Sequence, residues 1–450
     1  MKTPTIVLVL ALAATSASAQ IDAVSTSPPN IVLPNYNGVP VGPYGGLEGV
    51  AYAARVTDPS AAWFNPAGLP VADSAQISGS AGVYQFTTIA PQALSSNNGG
   101  SLQQLPNFVG VTFKARPKLT VAVAALTTAA WNQETDSEVF LPADSPRERF
   151  AFSTDSDYSV RVLSLSAGFA GPGAWRVGGG LAFSLTSIRL VQSVGDRIAD
   201  NSGLQSLLVT ARATGSAVQF RSLGGVQYDH GPLRTGVVVR TPGLTMIKSG
   251  GITFDGVLAA GGASLGSSLF DSDAQFETHL PWEIQGGVAY VRARAQVEVD
   301  VQGFSSISPY SLISTGAPVR IYGSAGPGVP AVLTTRPFQG LTSAFDGVVN
   351  GSVGGHLALT SSGRLRLHGG VGSDRSPVAD SDTVFNHANL YSWTLGLSGD
   401  VGKLQFGVGY NRRGGRAEDV RVQNLIERQA VHTPVEIHTG GLIYSIAYQF

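Results

Sequence analysis

The last fourteen residues, Ile437 to Phe450, read IHTGGLIYSIAYQF and decide the fold class. Large apolar side chains occupy every second position from Leu442 onward, and small or polar side chains fill most positions between them. Successive side chains of a strand point to opposite faces, so this alternation predicts a strand with one apolar face and one small or polar face. A soluble sandwich also uses such strands, so the stretch alone does not place the chain in a membrane.

The start of the chain has the order of an export signal. Lys2 precedes an apolar run over residues 6–14, and small residues lead to Gln20. This run is much shorter than the roughly 20 residues of a membrane-spanning helix, so residues 1–19 are predicted to be a cleaved signal peptide. Because the chain has no cysteine, we expect neither a lipid anchor nor a disulfide.

Composition narrows the class further. Charged residues make up 13% of the 450 residues, 56 residues are glycine, and the net charge is −1. This balance suits strands and turns better than helices, and it gives no electrostatic reason to expect nucleic acid as a partner. In lipid every backbone polar group must be paired internally, so an exported chain of this kind is predicted to be all-β, a transmembrane antiparallel β-barrel.

Period-2 alternation marks fourteen candidate strands. They lie near residues 75–89, 107–115, 118–128, 150–170, 174–192, 207–229, 233–242, 276–291, 293–306, 341–360, 363–374, 390–399, 403–411 and 433–450. Short connections alternate strictly with long ones, as the periplasmic turns and extracellular loops of outer-membrane barrels do. We therefore predict a barrel of about 14 strands over residues 75–450, whose last strand pairs with its first.

One long connection, Gly243 to Ala274, is unusually apolar. Its candidate ligand-capture residues are Leu244, Met246, Ile247, Ile252, Phe254, Leu258, Leu269 and Phe270. Apolar surface in an exposed loop predicts a site for an apolar ligand or a partner. The alternative is that the loop folds back on itself or covers the barrel mouth.

Residues 20–74 contain the sequence Asn65-Pro66-Ala67-Gly68. Proline fixes its own φ and pushes the preceding residue toward extended geometry, while glycine permits a positive φ, so these four residues predict a rigid turn. The asparagine amide is also able to hold nearby backbone groups. On chemistry alone, the motif predicts a turn and no function.

At these residues the chain resembles the FadL/OmpP1/TodX family of outer-membrane transporters of long-chain fatty acids and hydrocarbons. In that family a Gly/Ala-rich stretch leads through an aspartate and a serine to Asn-Pro-Ala-Gly-Leu, as residues 54–69 do here. Leu280-Pro281-Trp282 and the stretch from Leu365 to Val378 resemble the family in the same order.

The resemblance implies a multi-pass, fourteen-stranded barrel in the outer membrane of a Gram-negative-type bacterium, with residues 20–74 as a hatch inside the lumen. Asn65, Pro66, Ala67 and Gly68 would form the hatch motif. Extracellular loops, best matched by residues 243–274, would capture fatty acids or aromatic or aliphatic hydrocarbons, which leave sideways through the barrel wall. An apolar ligand that leaves sideways into lipid does not have to cross a polar lumen. The implied partners are this ligand, outer-membrane lipid and the assembly machinery, which would contact the C-terminal strand of a monomer.

The competing hypothesis is a barrel of the same family that acts as a secretion or assembly scaffold or as a surface adhesin. Enzymatic activity is not expected, since none of the seven histidines lies in a nucleophile motif. Their spacing matches no zinc motif, so neither a metal nor another cofactor is predicted. Arg292, Arg294 and Arg366 share the polar face of their strands and would pair with a ligand carboxylate or, more often, with lumen acids such as Glu298 and Asp300.

Overall fold

The computed structural model describes residues 31–32, 35–37, 39–72, 74–91, 101–140, 147–200, 203–260, 263–324, 331–338, 340–382, 384–423 and 430–450. The predicted signal peptide, residues 1–19, lies outside these ranges. Three short helical segments precede the barrel, at Gly45–Leu47, Ala61–Phe64 and Pro66–Val71. Within the described ranges, no helix has the length and apolarity to cross a membrane.

The rest of the described chain is almost entirely strand. The strands are β1 (Ile31–Val32), β2 (Gln76–Pro91), β3 (Ser101–Arg116), β4 (Leu119–Phe140), β5 (Arg147–Ala170), β6 (Trp175–Asp200), β7 (Gly203–His230), β8 (Leu233–Arg240), β9 (Leu244–Ala260), β10 (Ala263–Phe276), β11 (Glu283–Val291), β12 (Ala295–Phe304), β13 (Ile307–Ser314), β14 (Pro318–Ser324), β15 (Ala331–Pro337), β16 (Leu341–Phe345), β17 (Val348–Ala358), β18 (Leu365–Asp374), β19 (Phe385–Asn386), β20 (Asn389–Val401), β21 (Leu404–Gln423) and β22 (Ala430–Gln449).

Fourteen of these strands close an antiparallel barrel. The order around the ring is β2, β3, β4, β5, β6, β7, β8, β11, β12, β17, β18, β20, β21 and β22. The ring closes where β22 pairs with β2, so that Gln449 lies opposite Gln76 and Tyr448 opposite Ile77. The barrel, each of the fourteen predicted strands, and the pairing of the last strand with the first are confirmed.

The predicted strand ends were wrong on the side of the long connections, which we call the upper end. β4, β5, β6 and β7 contain 22, 24, 26 and 28 residues, although about 9–11 residues cross a bilayer. Residues 129–140 and 193–200, predicted as loop, continue β4 and β6. Alternation in the sequence fades where the lipid ends, but above the lipid a strand still needs its backbone groups paired.

The apolar connection is β-structure too. β9 and β10 form a hairpin from Leu244 to Phe276, and β9 pairs with β7 between Gln205 and Phe220. On one side of the barrel, the hairpin extends the wall beyond the upper end of the ring. The segment therefore folds back on itself, which is one of the two alternatives that its sequence left open.

The outer face of the ring is apolar and the inner face is not. In β12, Val297, Val299 and Val301 are 49%, 50% and 54% exposed, whereas Glu298 and Asp300 between them are buried. Because the inner face of a closed barrel is the enclosed one, the two acids point into the lumen. A ring whose outer face is apolar fits hydrocarbon and would be unfavourable in water.

The interior contains two main apolar clusters. The upper cluster lies among the extended strands and the hairpin, and it includes Leu190, Val209, Phe254, Phe276 and Phe385. The lower cluster lies toward the short turns, and it joins Tyr52, Val56, Phe64 and Leu69 of the N-terminal region to wall residues such as Phe108 and Leu126. The lumen is thus filled below by residues 41–69 and covered above by the wall extensions.

Candidate functional site

Residues 39–72, called here the N-terminal segment, occupy the lower half of the lumen, and most of them are buried. Ser164 Oγ of β5 donates to the carbonyl oxygen of Ala62 at 2.8 Å, and Thr394 Oγ1 of β20 donates to that of Leu47 at 2.9 Å. These two strands lie on nearly opposite sides of the ring. The wall therefore holds the segment through its backbone from both sides.

Asn65 connects the segment to the wall and to itself. Its side chain is fully buried, and Nδ2 donates to the carbonyl oxygens of Ala53 at 3.0 Å and Val226 of β7 at 3.1 Å. Its Oδ1 accepts from the N–H of Ala67 at 3.2 Å. The rigid turn expected from the sequence is present, stabilised by the asparagine amide. The role of these residues in a moving hatch stays a prediction.

Glycines allow this close approach. A Cβ added at Gly225 of β7 would lie 2.2 Å from Asn65 Oδ1, which is too short for any side chain at position 225 while Asn65 is present. Gly68 is not among the residues with a positive φ, so the reason expected from the sequence was wrong. Glycine is needed at this position because a Cβ would lie 1.9 Å from the carbonyl oxygen of Val56.

A buried charge network holds the segment to β12, three strands from β7 around the ring. Arg55 forms ion pairs with Glu48 of the segment and with Glu298 of β12, the latter through Nε and Oε2 at 3.0 Å. Asp300 accepts from the N–H of Tyr52 at 3.0 Å. Burial alone would favour the neutral acid at Glu48, but Arg55 and two histidine hydrogen bonds hold the pKa of Glu48 well below its usual range. The segment therefore carries a buried carboxylate that stays ionised.

Of the three wall arginines singled out from the sequence, one pairs with a lumen acid as expected and two are exposed instead. Arg366 forms an ion pair with Asp400 at 2.7 Å, whereas Arg292 and Arg294 are exposed beside the turn between β11 and β12. Glu298 is paired instead by the arginine of the N-terminal segment. Sequence proximity suggested neighbours within the wall, but the true partner comes from about 240 residues earlier in the chain.

A cavity of about 100 Å³ lies directly above the N-terminal segment. Trp63 and Phe64 of the segment belong to its lining. Its other apolar and aromatic lining includes Tyr158, Ile188, Phe276, Leu312, Phe345 and Phe385. One side is polar, with Arg221 and Gln302 beside Glu283, whose carboxylate pairs with Arg221 at 3.4 Å. The site is a partly enclosed pocket with a largely apolar lining and one polar side.

The eight predicted capture residues divide between the two faces of the hairpin. Ile252, Phe254 and Leu269 are buried in the upper cluster, and Leu258 packs against it. Leu244, Met246, Ile247 and Phe270 are 62–73% exposed. The cavity lining within the described ranges includes none of the eight, and Phe276 at the end of β10 contacts it instead. Alternation separates Leu269 from Phe270. Leu244 and Met246 have the same parity as Ile252, and the register shift between β7 and β9 around Met246 places them on the other face.

The wall has an interruption between β3 and β4. Their ladder joins Phe108–Arg116 to Leu119–Leu126 and ends there. Above this point β3 pairs with β2 and β4 pairs with β5. Pro106 of β3 lies at the divergence and has no N–H to offer a ladder. Pro106 and Leu126 line a depression on the outer surface at this position.

Comparisons with known proteins agree on the architecture. No protein-family model matches the sequence, and a comparison with curated proteins found no match. Among solved structures, a FadL homologue from Pseudomonas aeruginosa superimposes with a TM-score of 0.61 at 13% identity, covering 93% of this chain and 100% of that chain. The monoaromatic hydrocarbon channel CymD gives a TM-score of 0.54 at 14% identity, covering 92% of this chain and 99% of the other.

The toluene transporter TodX of Pseudomonas putida is similar to the same degree, with a TM-score of 0.54 at 12% identity over 92% of this chain and 99% of that chain. Three proteins that share little sequence with this one thus superimpose on nearly its whole length. This chain has the fold of the FadL homologue and of these hydrocarbon channels, as the resemblance in its sequence predicted.

Proposed function

We propose that this protein is an outer-membrane transporter of hydrophobic compounds, which bind in the cavity above the N-terminal segment. The observation that carries the proposal is the partly enclosed, largely apolar pocket itself, with Trp63 and Phe64 in its lining below and Phe276 above. A fold shared with a FadL homologue and with hydrocarbon channels supports the same function. No enzymatic role is proposed.

The size of the cavity indicates the ligand that fits without rearrangement. Its volume of about 100 Å³ is of the order of the roughly 150 Å³ apolar cavity that binds benzene in an engineered protein. A single aromatic ring is therefore the preferred ligand when the N-terminal segment is in place. A long-chain fatty acid would require displacement of the segment.

The N-terminal segment is proposed to be the hatch that controls passage from this cavity. Its directional contacts around Asn65 and Arg55 define one closed position. Sideways release is proposed at the divergence of β3 and β4, because the cavity lining includes Thr128 and Ala129 just above the end of that ladder. An apolar ligand would leave there into lipid without crossing the packed lower lumen.

Insertion is proposed to depend on the seam between β22 and β2, with the assembly machinery contacting β22 of a monomer. Tyr444, Ile446 and Phe450 are 44%, 51% and 62% exposed and point outward. A charged residue in place of Phe450 is expected to reduce the amount of protein in the outer membrane without changing the ligand affinity of the molecules that do insert.

Ligand binding is tested by filling the cavity. Phe276→Trp adds volume to a residue that is 1% exposed and lines the pocket, whereas Phe270→Trp on the same strand changes a side chain that is 73% exposed. We expect the first variant to weaken binding of labelled toluene to protein in nanodiscs by tenfold or more, and the second to bind normally. Equal binding by both variants would place the ligand elsewhere.

Hatch movement is tested with a reversible lock. A Cβ at Gly225 would lie 3.0 Å from Asn65 Cγ, so cysteines at these two positions are close enough for a disulfide. The chain has no other cysteine. Cells with the oxidised double variant should take up hydrophobic compounds poorly and recover on reduction. Uptake that is unaffected by the lock, or by deletion of the protein, would favour the scaffold or adhesin.

A further inference from the structure

Three metal-binding side chains converge at the lower end of the lumen. Among the described residues, Glu48, His356 and His368 form one group whose potential ligand atoms all lie within 4.8 Å of one another. The Nδ1 atoms of His356 and His368 lie 2.8 and 2.6 Å from the same oxygen, Oε1 of Glu48. The two histidines belong to the barrel wall and the glutamate belongs to the N-terminal segment.

The fold places these groups together by strand register and close approach. His356 of β17 lies directly opposite His368 of β18, and their ring centroids are 5.1 Å apart. A Cβ at Gly354 would lie 1.8 Å from the carbonyl oxygen of Glu48, and one at Gly370 would lie 2.3 Å from its carbonyl carbon. Glycine at both positions lets the segment press its backbone against the strands that carry the histidines.

A second interaction orients one of the rings. His368 Nε2 lies 2.7 Å from Ser398 Oγ on β20. A histidine that binds a metal through one nitrogen usually donates its other N–H to a nearby acceptor, which fixes the tautomer and the ring orientation. Without an ion, the Nδ1–H of His368 donates to the ionised Glu48 carboxylate. With an ion bound, the proton would lie on Nε2, where the ring donates to the serine, and the lone pair of Nδ1 would be directed at the ion.

The surrounding charge favours a cation. Among the described residues, the carboxyl groups of Glu48, Glu298 and Asp300 are buried in one network with the guanidinium of Arg55. Buried carboxylates are stable when a cation or metal compensates them. The site is also reachable, because the side chain of His356 keeps 15% of its surface exposed.

We propose that Glu48, His356 and His368 bind a divalent transition-metal ion of the zinc class. Two imidazole nitrogens and one carboxylate oxygen suit zinc and its neighbours rather than magnesium or calcium, which prefer all-oxygen sites. Imidazole nitrogens and carboxylate oxygens bind such an ion at about 2.0–2.2 Å. Since the ligands come from the wall and from the N-terminal segment, the ion joins the two. The site stands independently of what the barrel transports.

The test uses the full-length, tag-free protein in detergent, first treated with a chelator and then titrated with Co²⁺ and Zn²⁺. We expect one Co²⁺ per chain, with the visible absorption of a four- or five-coordinate site, and its displacement by Zn²⁺. His356→Ala, which changes the most exposed of the three ligands, should weaken Zn²⁺ binding by at least tenfold. Glu48→Gln should do the same, and Ser398→Ala should weaken binding less.

The matched control is His438→Ala, which removes a histidine that also lies near a glutamate, at 3.8 Å from Glu436, but on an exposed surface. This variant should bind Zn²⁺ as the unmodified protein does. Absence of stoichiometric binding, or Zn²⁺ affinity unchanged in both His356→Ala and Glu48→Gln, would overturn the proposal and leave the cluster as a hydrogen-bonded contact. Normal toluene binding by His356→Ala would separate the metal site from the proposed transport.

Discussion

The lower and upper halves of the lumen are built on different physical principles. Below, the N-terminal segment is held by directional contacts, such as the amide of Asn65, the ion pairs of Arg55 and the tight fit against Gly225. Above, the upper cluster is made of apolar side chains such as Ile252 and Phe276, and it borders the cavity.

The lower half therefore fixes the position of the N-terminal segment, whereas the upper half accommodates a ligand. Hydrogen bonds and ion pairs are lost when groups shift by an ångström, so they define one position of the segment. Apolar contacts are non-directional, so an apolar pocket accepts ligands of related shape and a ligand can displace part of its packing. The lower half is therefore expected to be sensitive to small changes and the upper half tolerant of them.

The largest expected effect comes from filling the space at Gly225, where Asn65 approaches the wall in the lower half of the lumen. Gly225→Val would place a side chain on Asn65 and should displace the N-terminal segment from the wall, whereas Gly286→Val fills space where a Cβ meets nothing within 4 Å. A single cysteine at Ser60, which is buried, reports the displacement. Rapid labelling by a water-soluble maleimide is expected for the first variant and slow labelling for the second. Slow labelling of both would mean that the close contact at Gly225 does not hold the segment.

Removing the buried cation should have the next largest effect. Arg55→Met leaves Glu48 and Glu298 buried without their partner, and breaking a buried pair costs about 3–5 kcal/mol. The loss should appear as a lower urea concentration at which the Ser60 cysteine becomes reactive. Arg176→Met, which removes a partly exposed partner of Asp229, should leave that concentration unchanged. A similar shift in both variants would contradict the importance of burial.

A smaller effect is expected from the asparagine of the turn. Asn65→Ala removes a hydrogen-bond donor to the carbonyl oxygens of Ala53 and Val226, although Gln227 Nε2 still donates to the Ala53 oxygen at 3.0 Å. The net loss of a hydrogen bond typically costs about 0.5–1.5 kcal/mol. In the same assay, the urea concentration at which the Ser60 cysteine becomes reactive should fall, but by less than in Arg55→Met. If the Ser60 cysteine became reactive at the same urea concentration in Asn65→Ala as in the unmodified protein, the amide would have no part in holding the segment.

The smallest effect should come from the upper half. Ile252→Leu exchanges two apolar side chains of equal volume in the upper cluster, and such swaps usually cost less than about 1.5 kcal/mol. Toluene affinity and Ser60 labelling should both remain within threefold of the unmodified protein. A loss as large as that of Asn65→Ala would remove the distinction between the two halves.

Strand count and strand faces could be predicted from the sequence because alternation is a local property. The faces of β12 follow directly from Val297, Glu298 and Val299, and the seam follows from the apolar parity of the last strand. The upper parts of β4 to β7 could not be predicted, since above the lipid their side chains no longer alternate clearly. The capture residues of the hairpin were predicted as one set, but its two faces separate them.

The clusters inside the lumen needed the tertiary structure. His356 and His368 share the inward face of one hairpin, so alternation with a register could have paired them. Glu48, Arg55 and Asn65 meet the wall only because a segment of irregular backbone lies inside the closed ring. No periodic pattern in the sequence predicts these contacts.

The sequence by itself determined a closed, two-faced barrel with a rigid Asn-Pro-Ala-Gly turn, because these features depend on side chains two to four positions apart. The tertiary structure decided where the turn docks, which acid pairs with Arg55, and where the cavity remains. Those outcomes depend on contacts between residues more than 300 positions apart, such as Leu47 and Thr394, and only the closure of the ring fixes such distances.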